Sequence, residues 1–352
     1  MRFTLYPIYW IADVADDEPF DVTGLPFDVT EDVQIEAVSD RFRQGAFDLM
    51  RRKLGEDITR IMEGVRYALV HRYDPVVNEL DSQAGDADNS KSSEDLVRLV
   101  AACLRLIRPM RQHALLMRGL IHDEDGTFDV KSFDVPTLHI QEVPVVQRLF
   151  KLRNQDTNDL RGYAPDFLRA MRGDFWKFRM AVQFHELGHF QSLDWKARYS
   201  LWCSAIESIY TSHSWEHQGS LVAISRIKWF IGENTSIYAP GDLTEWETDP
   251  NVSIRDIVNA LYTVRNLLAH GDRIPDFYFK TTRRTGLNSE IVILDVLLEA
   301  ASFIIRSSLL RILRQGLLDH FADSDHADAY FGAQGLTRTT LRAAGRAIVP
   351  GP

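Results

Sequence analysis

Residues 261–271 read Leu-Tyr-Thr-Val-Arg-Asn-Leu-Leu-Ala-His-Gly. The leucines and Val264 recur at the spacing of one helical face, which predicts the end of an amphipathic helix. Gly271 suits the position just past such a helix, where a left-handed backbone conformation ends it. The segment therefore predicts a helix that carries Arg265, Asn266 and His270 near its C-terminus.

These three polar side chains suit work on a phosphodiester. Asn266 and His270 are four residues apart and share a helical face, with Arg265 on its flank. Arginine binds phosphate oxygens and stays charged, and histidine can transfer protons near neutral pH. Cleavage of RNA through its own 2′-hydroxyl needs a base, an acid and a cation, but no metal. These three residue types would therefore be sufficient for RNA cleavage without a cofactor.

The spacing of arginine and histidine is not specific by itself. The same Arg-x4-His spacing occurs at Arg66/His71 and at Arg108/His113. The third copy differs in the polar residue after its arginine and the glycine after its histidine. The segments upstream of residue 261 must therefore decide between chance and function.

Two upstream segments accompany the helix in a fixed order. Residues 195–210 read Trp-Lys-Ala-Arg-Tyr-Ser-Leu-Trp-Cys-Ser-Ala-Ile-Glu-Ser-Ile-Tyr, and residues 220–230 read Ser-Leu-Val-Ala-Ile-Ser-Arg-Ile-Lys-Trp-Phe. With residues 256–271, this arrangement resembles the HEPN superfamily, particularly its ApeA-like branch, over roughly residues 175–320. The resemblance implies a dimerising helical bundle and a metal-independent endoribonuclease, often in a toxin or anti-phage defence role. It also implies products with 2′,3′-cyclic phosphate and 5′-hydroxyl ends.

The resemblance assigns roles to individual residues. Arg265 and His270 match the family's catalytic pair, and Asn266 matches the polar residue between them. Glu207 matches the acidic residue of the earlier helix, while Ile206 stands where many relatives have leucine. Simpler roles remain open at this stage: Arg265 and His270 as surface charges, Glu207 as a structural partner of Arg265, and Asn266 as a group that orients His270.

Another motif offers a different chemistry. Residues 185–189, His-Glu-Leu-Gly-His, fit the pattern of zinc hydrolases, with His185 and His189 on one helical face and Glu186 beside them. Glu207 lies downstream, where such enzymes can place a third ligand. The same stretch also reads as an ordinary amphipathic helix. A zinc hydrolase therefore stands as one alternative, and a non-catalytic dimeric adaptor or RNA-binding module as another.

Composition limits the partners. The chain has 352 residues and a net charge of −10, so it is not a general binder of polyanions. RNA contact should be local, and the basic residues just past the helix are the best candidates: Lys280, Arg283 and Arg284. The acidic surface would suit a cognate inhibitor, a sensor protein or an autoinhibited state that limits cleavage. We expect a homodimer.

Cysteine usage and hydropathy indicate the compartment. The two cysteines, Cys103 and Cys203, lie far apart in apolar contexts, which is typical of buried thiols in a cytoplasmic protein. The apolar stretches are interrupted by charges too soon to cross a membrane, and the N-terminal residues do not resemble a signal peptide. We expect a cytoplasmic protein without a membrane partner.

The sequence predicts a mainly α-helical fold. Residues 1–173 are expected to form an α-rich region of unknown role that begins with short strands within residues 1–37. Helices are predicted there at 41–54, 57–71 and 93–119, and a polar loop at 78–95. Residues 174–322 should form an up-and-down HEPN-like bundle, followed by a tail at 323–352. Its helices are predicted near residues 175–191, 195–213, 219–232, 253–270 and 289–320.

Overall fold

A computed structural model describes most of the C-terminal half of the chain and parts of the N-terminal half. The described residues are 2–8, 27–30, 32–37, 67–73, 86–107, 116–121, 128–134, 154–189, 193–212, 220–237, 253–279, 281–283 and 290–348. They divide into two compact units, and the change falls between Leu168 and Arg169. The predicted boundary, at residues 173/174, lies a few residues further along the chain.

The first unit contains an antiparallel sheet of six strands. The strands are β1 (Arg2–Ile8), β2 (Phe27–Asp28), β3 (Val33–Ala37), β4 (Tyr67–Tyr73), β5 (Leu116–Ile121) and β6 (Phe128–Asp134), in the spatial order β2-β3-β4-β1-β5-β6. Val33 and Ile35 are buried while Gln34 and Glu36 are half-buried, which is the alternation of a sheet with one covered face. Helix α1 (Asp86–Ile107) contacts β1 and β4, and helix α2 (Asn154–Arg172) begins in this unit.

The mainly helical fold class is confirmed, but the strands extend further than the sequence predicted. Strand β4 lies where the predicted helix 57–71 should end. Strand β5 lies where the predicted helix 93–119 should end. Helix α1 starts at Asp86, inside the predicted loop. The pairing of Leu5 with Val70 explains the first difference, because such distant partners leave no local signal. The predicted helix 41–54 lies outside the described residues.

The second unit is a helical bundle. Its helices are α3 (Trp176–Leu187), α4 (Trp195–Tyr210), α5 (Ser220–Ile227), α6 (Ile254–His270), α7 (Ile293–Arg314), α8 (Ser324–Ala333) and α9 (Arg338–Ile348). A π-helical turn, Lys228–Gly232, extends α5, and short 3-10 helices cover Asp276–Phe279 and Leu318–Phe321. The first four predicted bundle helices agree with α3–α6 within a few residues. Helix α7 starts later than predicted because residues 290–292 form strand β8 against β7 (Thr281–Arg283). It also ends earlier, at Arg314, two residues before the left-handed Gly316.

Helix α7 lies at the centre of this bundle. It contacts α3, α4 and α6, and its side chains are buried on most of its circumference. Two buried hydroxyl groups fix the neighbouring helices in place. Tyr210 Oη lies 2.6 Å from Ser308 Oγ of α7, and Tyr199 Oη donates to the carbonyl oxygen of Leu261 at 2.7 Å. Helix α4 is therefore held against both α7 and α6.

The ends of α4 and α6 follow from local sequence signals. Asp194 caps α4 by accepting a hydrogen bond from the Ala197 amide at 2.8 Å. At the start of α6, the Asp256 carboxylate accepts from the Ser253 hydroxyl at 2.5 Å. Gly271 ends α6 with a φ of 72°, so the prediction of a left-handed glycine at this position is confirmed.

The predicted C-terminal tail contains the two helices α8 and α9. Asp323 caps α8 by accepting from the His326 amide at 3.0 Å. Phe331 of α8 is fully buried and meets the rings of Tyr210 and Phe230. At least α8 is thus packed as part of the bundle. Within the described ranges, no helix combines the length and apolar character that crossing a bilayer requires.

Lys177 of α3 gives the second unit a pH-dependent stability. Burial lowers the pKa of its ammonium group from 10.5 to about 8, although the nearby Asp328 acts in the opposite direction. The folded chain therefore binds fewer protons than the unfolded chain between about pH 8 and 10.5. The contribution of Lys177 to the free energy of unfolding should rise across this window, by at most about 1.4 kcal/mol per pH unit.

Lys177→Met removes the titrating ammonium group, so a comparison with the wild type isolates the contribution of Lys177. Urea unfolding of both proteins across the same pH window gives the difference in unfolding free energy, wild type minus variant. That difference should increase with pH, while contributions common to both proteins cancel. A difference that stays constant with pH would contradict the lowered pKa.

Candidate functional site

The candidate site lies where the last turns of α6 meet α4. Arg265 Nη2 of α6 is 2.6 Å from Glu207 Oε1 of α4. The two side chains are 32% and 25% exposed, so the ion pair is shielded from water but open on one side. The acidic partner that the sequence assigned to Arg265 is therefore in direct contact with it.

The surroundings keep Arg265 positively charged. Burial alone would lower the pKa of its guanidinium, but the hydrogen bond and the charge of Glu207 raise that pKa above its usual value. The planar group is thus fixed in orientation as well as in charge. Such a cation can bind phosphate oxygens without first being reorganised.

Asn266 completes this small network. Arg265 Nη1 donates a hydrogen bond to Asn266 Oδ1 at 3.2 Å. The sequence suggested that Asn266 orients His270, yet its amide oxygen is directed at Arg265 instead. Arg265 is therefore held by an amide and a carboxylate on two of its nitrogens.

His270 stands apart from these three residues. It is the last residue of α6 and is exposed, and it makes no hydrogen bond or ion pair with any described residue. Five residues of an α-helix turn through about 140° beyond a full circle, so Arg265 and His270 leave α6 in different directions. One chain thus brings together Arg265, Asn266 and Glu207, with His270 on the neighbouring open surface.

The basic residues assigned to RNA contact can be followed only in part. The backbone of Arg283 lies in strand β7, and Lys280 and Arg284 lie outside the described residues. The sequence-based interpretation missed two aromatic rings in the same region. Phe277 and Phe279 are 49% and 46% exposed in the 3-10 helix that follows α6. The signal that could have identified them is the aromatic cluster after Pro275.

A second polar cluster lies inside the bundle at the end of α3. His185 and His189 are 1% and 8% exposed, and their Nε2 atoms are 3.3 Å apart. Ser302 Oγ of α7 lies 3.4 Å from His185 Nε2. Both imidazoles pack against the Trp202 indole, which donates to the His185 carbonyl oxygen at 3.2 Å.

The position of Gly188 is part of this packing. A Cβ atom at Gly188 would overlap the indole ring of Trp202. Its lack of a side chain therefore allows α4 to approach the end of α3. Glu207, the third ligand that the sequence offered for a zinc hydrolase, contacts Arg265 instead, and the acidic residue nearest to the two histidines is Glu186.

Tyr262 lies in α6 one turn before Asn266. Its hydroxyl group is buried and has no hydrogen-bond partner among the described residues, and burial raises its pKa well above the usual value. Tyr262→Phe should therefore leave the free energy of unfolding unchanged or raise it, by up to about 1 kcal/mol.

Tyr199 provides the matched control, because its hydroxyl group is also buried but donates to Leu261. Tyr199→Phe should lower the free energy of unfolding by about 1 kcal/mol. Urea unfolding of the two variants measures both changes. A larger loss for Tyr262→Phe than for Tyr199→Phe would mean that the Tyr262 hydroxyl has a structural role.

Comparison of the chain with protein-family models, curated proteins and solved structures gives no match.

Proposed function

We propose that this chain is a metal-independent endoribonuclease of the HEPN type that acts as a homodimer. The observation that carries the proposal is the contact between Arg265 and Glu207, with His270 exposed at the end of the same helix. The HEPN resemblance matches Arg265 and His270 to a catalytic pair and Glu207 to an acidic residue of the earlier helix. A toxin or anti-phage defence role in the cytoplasm belongs to the same proposal and rests on the resemblance alone.

The reaction uses a nucleophile that the RNA itself supplies. The ribose 2′-oxygen loses its proton and forms a bond to phosphorus, while the bond between phosphorus and the 5′-oxygen breaks. The leaving oxygen takes up a proton, so the products are a 2′,3′-cyclic phosphate and a 5′-hydroxyl. His270 would transfer one of these protons, as general base or general acid.

Arg265 would bind the phosphate oxygens that gain charge in the transition state. Glu207 and Asn266 act as positioning residues, because they hold the guanidinium and leave part of it accessible. A cation fixed in advance stabilises developing charge better than one that must be recruited. Arg265 would therefore bind the phosphate on one side of the end of α6, and His270 would transfer a proton on another side.

Dimerisation would bring the separated groups into one site. Arg265 and His270 of one chain leave α6 in different directions, by about 140° around the helix axis. A twofold pairing of two α6 ends would place the histidine of one chain beside the arginine of its partner. The same pairing is what the HEPN resemblance implies.

The remaining surface supports local contact with RNA. The net charge of −10 disfavours general binding to nucleic acid. Exposed aromatic rings next to cations are used by proteins that bind single-stranded RNA, since bases stack on the rings. Phe277 and Phe279 would provide the rings, and the cations would come from the basic residues that follow them in the sequence, Lys280, Arg283 and Arg284. A cognate inhibitor or sensor protein would then control access to it.

A zinc hydrolase at His185 and His189 is less well supported. Both imidazoles are buried against Trp202, and Glu207 contacts Arg265 instead. Catalytic zinc sites keep a position open for water and substrate. Burial at this point therefore argues against substrate hydrolysis.

The proposal can be tested with purified protein and a short synthetic RNA in the presence of EDTA. The assay is run well below the unfolding temperature of the protein, so that removal of metal ions by EDTA does not unfold it. We expect cleavage to continue in EDTA and to leave cyclic phosphate and 5′-hydroxyl ends. The matched substrate has a 2′-deoxy nucleotide at the cleaved position and should not be cut there.

Three results would overturn the proposal. Cleavage at the 2′-deoxy position would exclude attack by the 2′-oxygen. Cleavage that stops in EDTA and is also lost in His185→Gln, while both proteins remain folded by circular dichroism, would favour the zinc hydrolase. Binding of RNA without any cleavage would instead favour the non-catalytic adaptor.

A further inference from the structure

We propose that the second unit contains a buried structural site for a divalent transition-metal ion of the zinc type. Its nitrogen ligands are His185 of α3 and His189, which lies in the turn just after α3. The inference is independent of the proposed nuclease activity. It also departs from the sequence-based expectation of no cofactor.

The spacing of the two imidazoles is the main observation. Their Nε2 atoms are 3.3 Å apart. Two nitrogen ligands held about 2.0–2.1 Å from a tetrahedral zinc ion lie about 3.3–3.4 Å from each other. The same distance is within the range of a long hydrogen bond between two imidazoles. Both nitrogens could therefore coordinate one ion without a change in their separation.

Two oxygen donors are close to the imidazoles. Ser302 Oγ lies 3.4 Å from His185 Nε2, which is again the separation of two ligands of one ion. A carboxylate oxygen of Glu186 lies within 4.8 Å of a ring nitrogen of each histidine. Imidazole nitrogens with nearby oxygens suit zinc and related first-row ions, whereas magnesium and calcium prefer oxygen ligands alone.

The packing around the cluster indicates a structural site. The Trp202 ring is stacked on the His185 imidazole at a centroid distance of 6.1 Å and meets the His189 imidazole edge-on at 5.4 Å. Ser302 approaches from the central helix α7. An ion at this point would connect α3 to α7 inside the core, where no substrate has to reach it. Its effect would be on stability.

The test uses tag-free full-length protein, stripped with EDTA, desalted and then titrated with Zn²⁺ or Co²⁺. We expect about one ion per chain by elemental analysis. Cobalt should give the visible absorption of a site with nitrogen ligands. At a metal concentration about 100-fold above the dissociation constant, the thermal unfolding midpoint should rise by roughly 5–10 °C.

Variants assign the ligands. His185→Gln and His189→Gln should each lose the bound ion and the shift in midpoint. His320→Gln, which replaces an exposed histidine of the same unit, should retain both. Equal metal binding by wild type and both ligand variants would overturn the proposal.

The wild type alone also provides a decisive result, should the variants fail to fold. Both imidazoles must be deprotonated at the coordinating nitrogen to bind an ion, so cobalt absorption should be lost progressively as the pH is lowered at a fixed cobalt concentration. A wild-type protein that gives no cobalt absorption and no shift in midpoint at any pH would overturn the proposal. The two histidines would then be a hydrogen-bonded pair of the core.

Discussion

His270→Ala should lower the rate of RNA cleavage by roughly 100- to 10,000-fold, the usual contribution of a general acid or base. The variant should fold normally, because His270 is exposed and makes no hydrogen bond or ion pair with the described residues. A single-turnover cleavage assay with excess protein separates this loss from weaker RNA binding. The unfolding midpoint, measured on the same preparation, should match that of the wild type.

The matched control is His320→Ala, which replaces another exposed histidine of the second unit. Its cleavage rate should equal that of the wild type. Arg265→Ala should lose activity on a scale similar to His270→Ala, because no cation then stabilises the negative charge that develops on the phosphate oxygens. If His270→Ala cleaves as fast as His320→Ala, proton transfer by His270 is excluded and another residue must act.

Removal of the Arg226 side chain should cause the largest loss of stability among the described ion pairs. Arg226 of α5 is 1% exposed and donates hydrogen bonds to the carbonyl oxygens of Tyr210 and Leu336 at 3.0 and 3.2 Å. Its Nη2 lies 2.9 Å from Asp328 Oδ1, and its guanidinium lies 4.8 Å from the centroid of the Phe331 ring. It therefore connects α4, α5 and α8 through one buried cation.

Arg226→Met keeps much of the side-chain length but removes every donor. We expect the free energy of unfolding to fall by about 3–5 kcal/mol, because Asp328 and two carbonyl oxygens lose their partner. Urea unfolding, followed by a probe of the second unit such as tryptophan fluorescence, measures the change. Six of the seven tryptophans of the chain belong to that unit, and the seventh, Trp10, can be replaced by phenylalanine in both proteins.

Arg255→Met provides the matched control, because Arg255 forms an exposed ion pair with Glu233 at 3.0 Å. It should cost at most about 1 kcal/mol, as exposed ion pairs contribute little. Similar losses of unfolding free energy in the two variants would show that the buried contacts of Arg226 stabilise the fold no more than an exposed ion pair does. The C-terminal helices would then contribute less to the bundle than this contact indicates.

The bundle was predictable from the sequence where its signals are local. Helix α6 carries its own start and stop: Asp256 binds the Ser253 hydroxyl, and Gly271 adopts the left-handed conformation. Each signal acts within a few residues, so the sequence alone predicts both ends. Strand β4 has no such signal, because its strand conformation depends on pairing with β1 and β3. Helical and strand patterns are ambiguous in short apolar segments of this kind.

The candidate site was predictable to a similar degree. The HEPN resemblance singled out Glu207, and a role as structural partner of Arg265 was one of the alternatives that the sequence left open; the two side chains are in contact. The partner of Asn266 could not be predicted, since the choice between Arg265 and His270 depends on side-chain conformation. The four-residue spacing placed His185 and His189 on one face, but Ser302 reaches them from a helix more than a hundred residues away.

The chemistry of RNA ends in cells that express the protein is the most direct test of the proposed cleavage reaction. Wild-type chain and His270→Ala would be produced at equal levels, and all new RNA ends mapped with methods selective for 5′-hydroxyl and 2′,3′-cyclic phosphate groups. We predict that both kinds of end accumulate with the wild type and are absent with His270→Ala. New ends that carry a 5′-phosphate, or the same ends in both samples, would contradict the role proposed for Arg265 and His270.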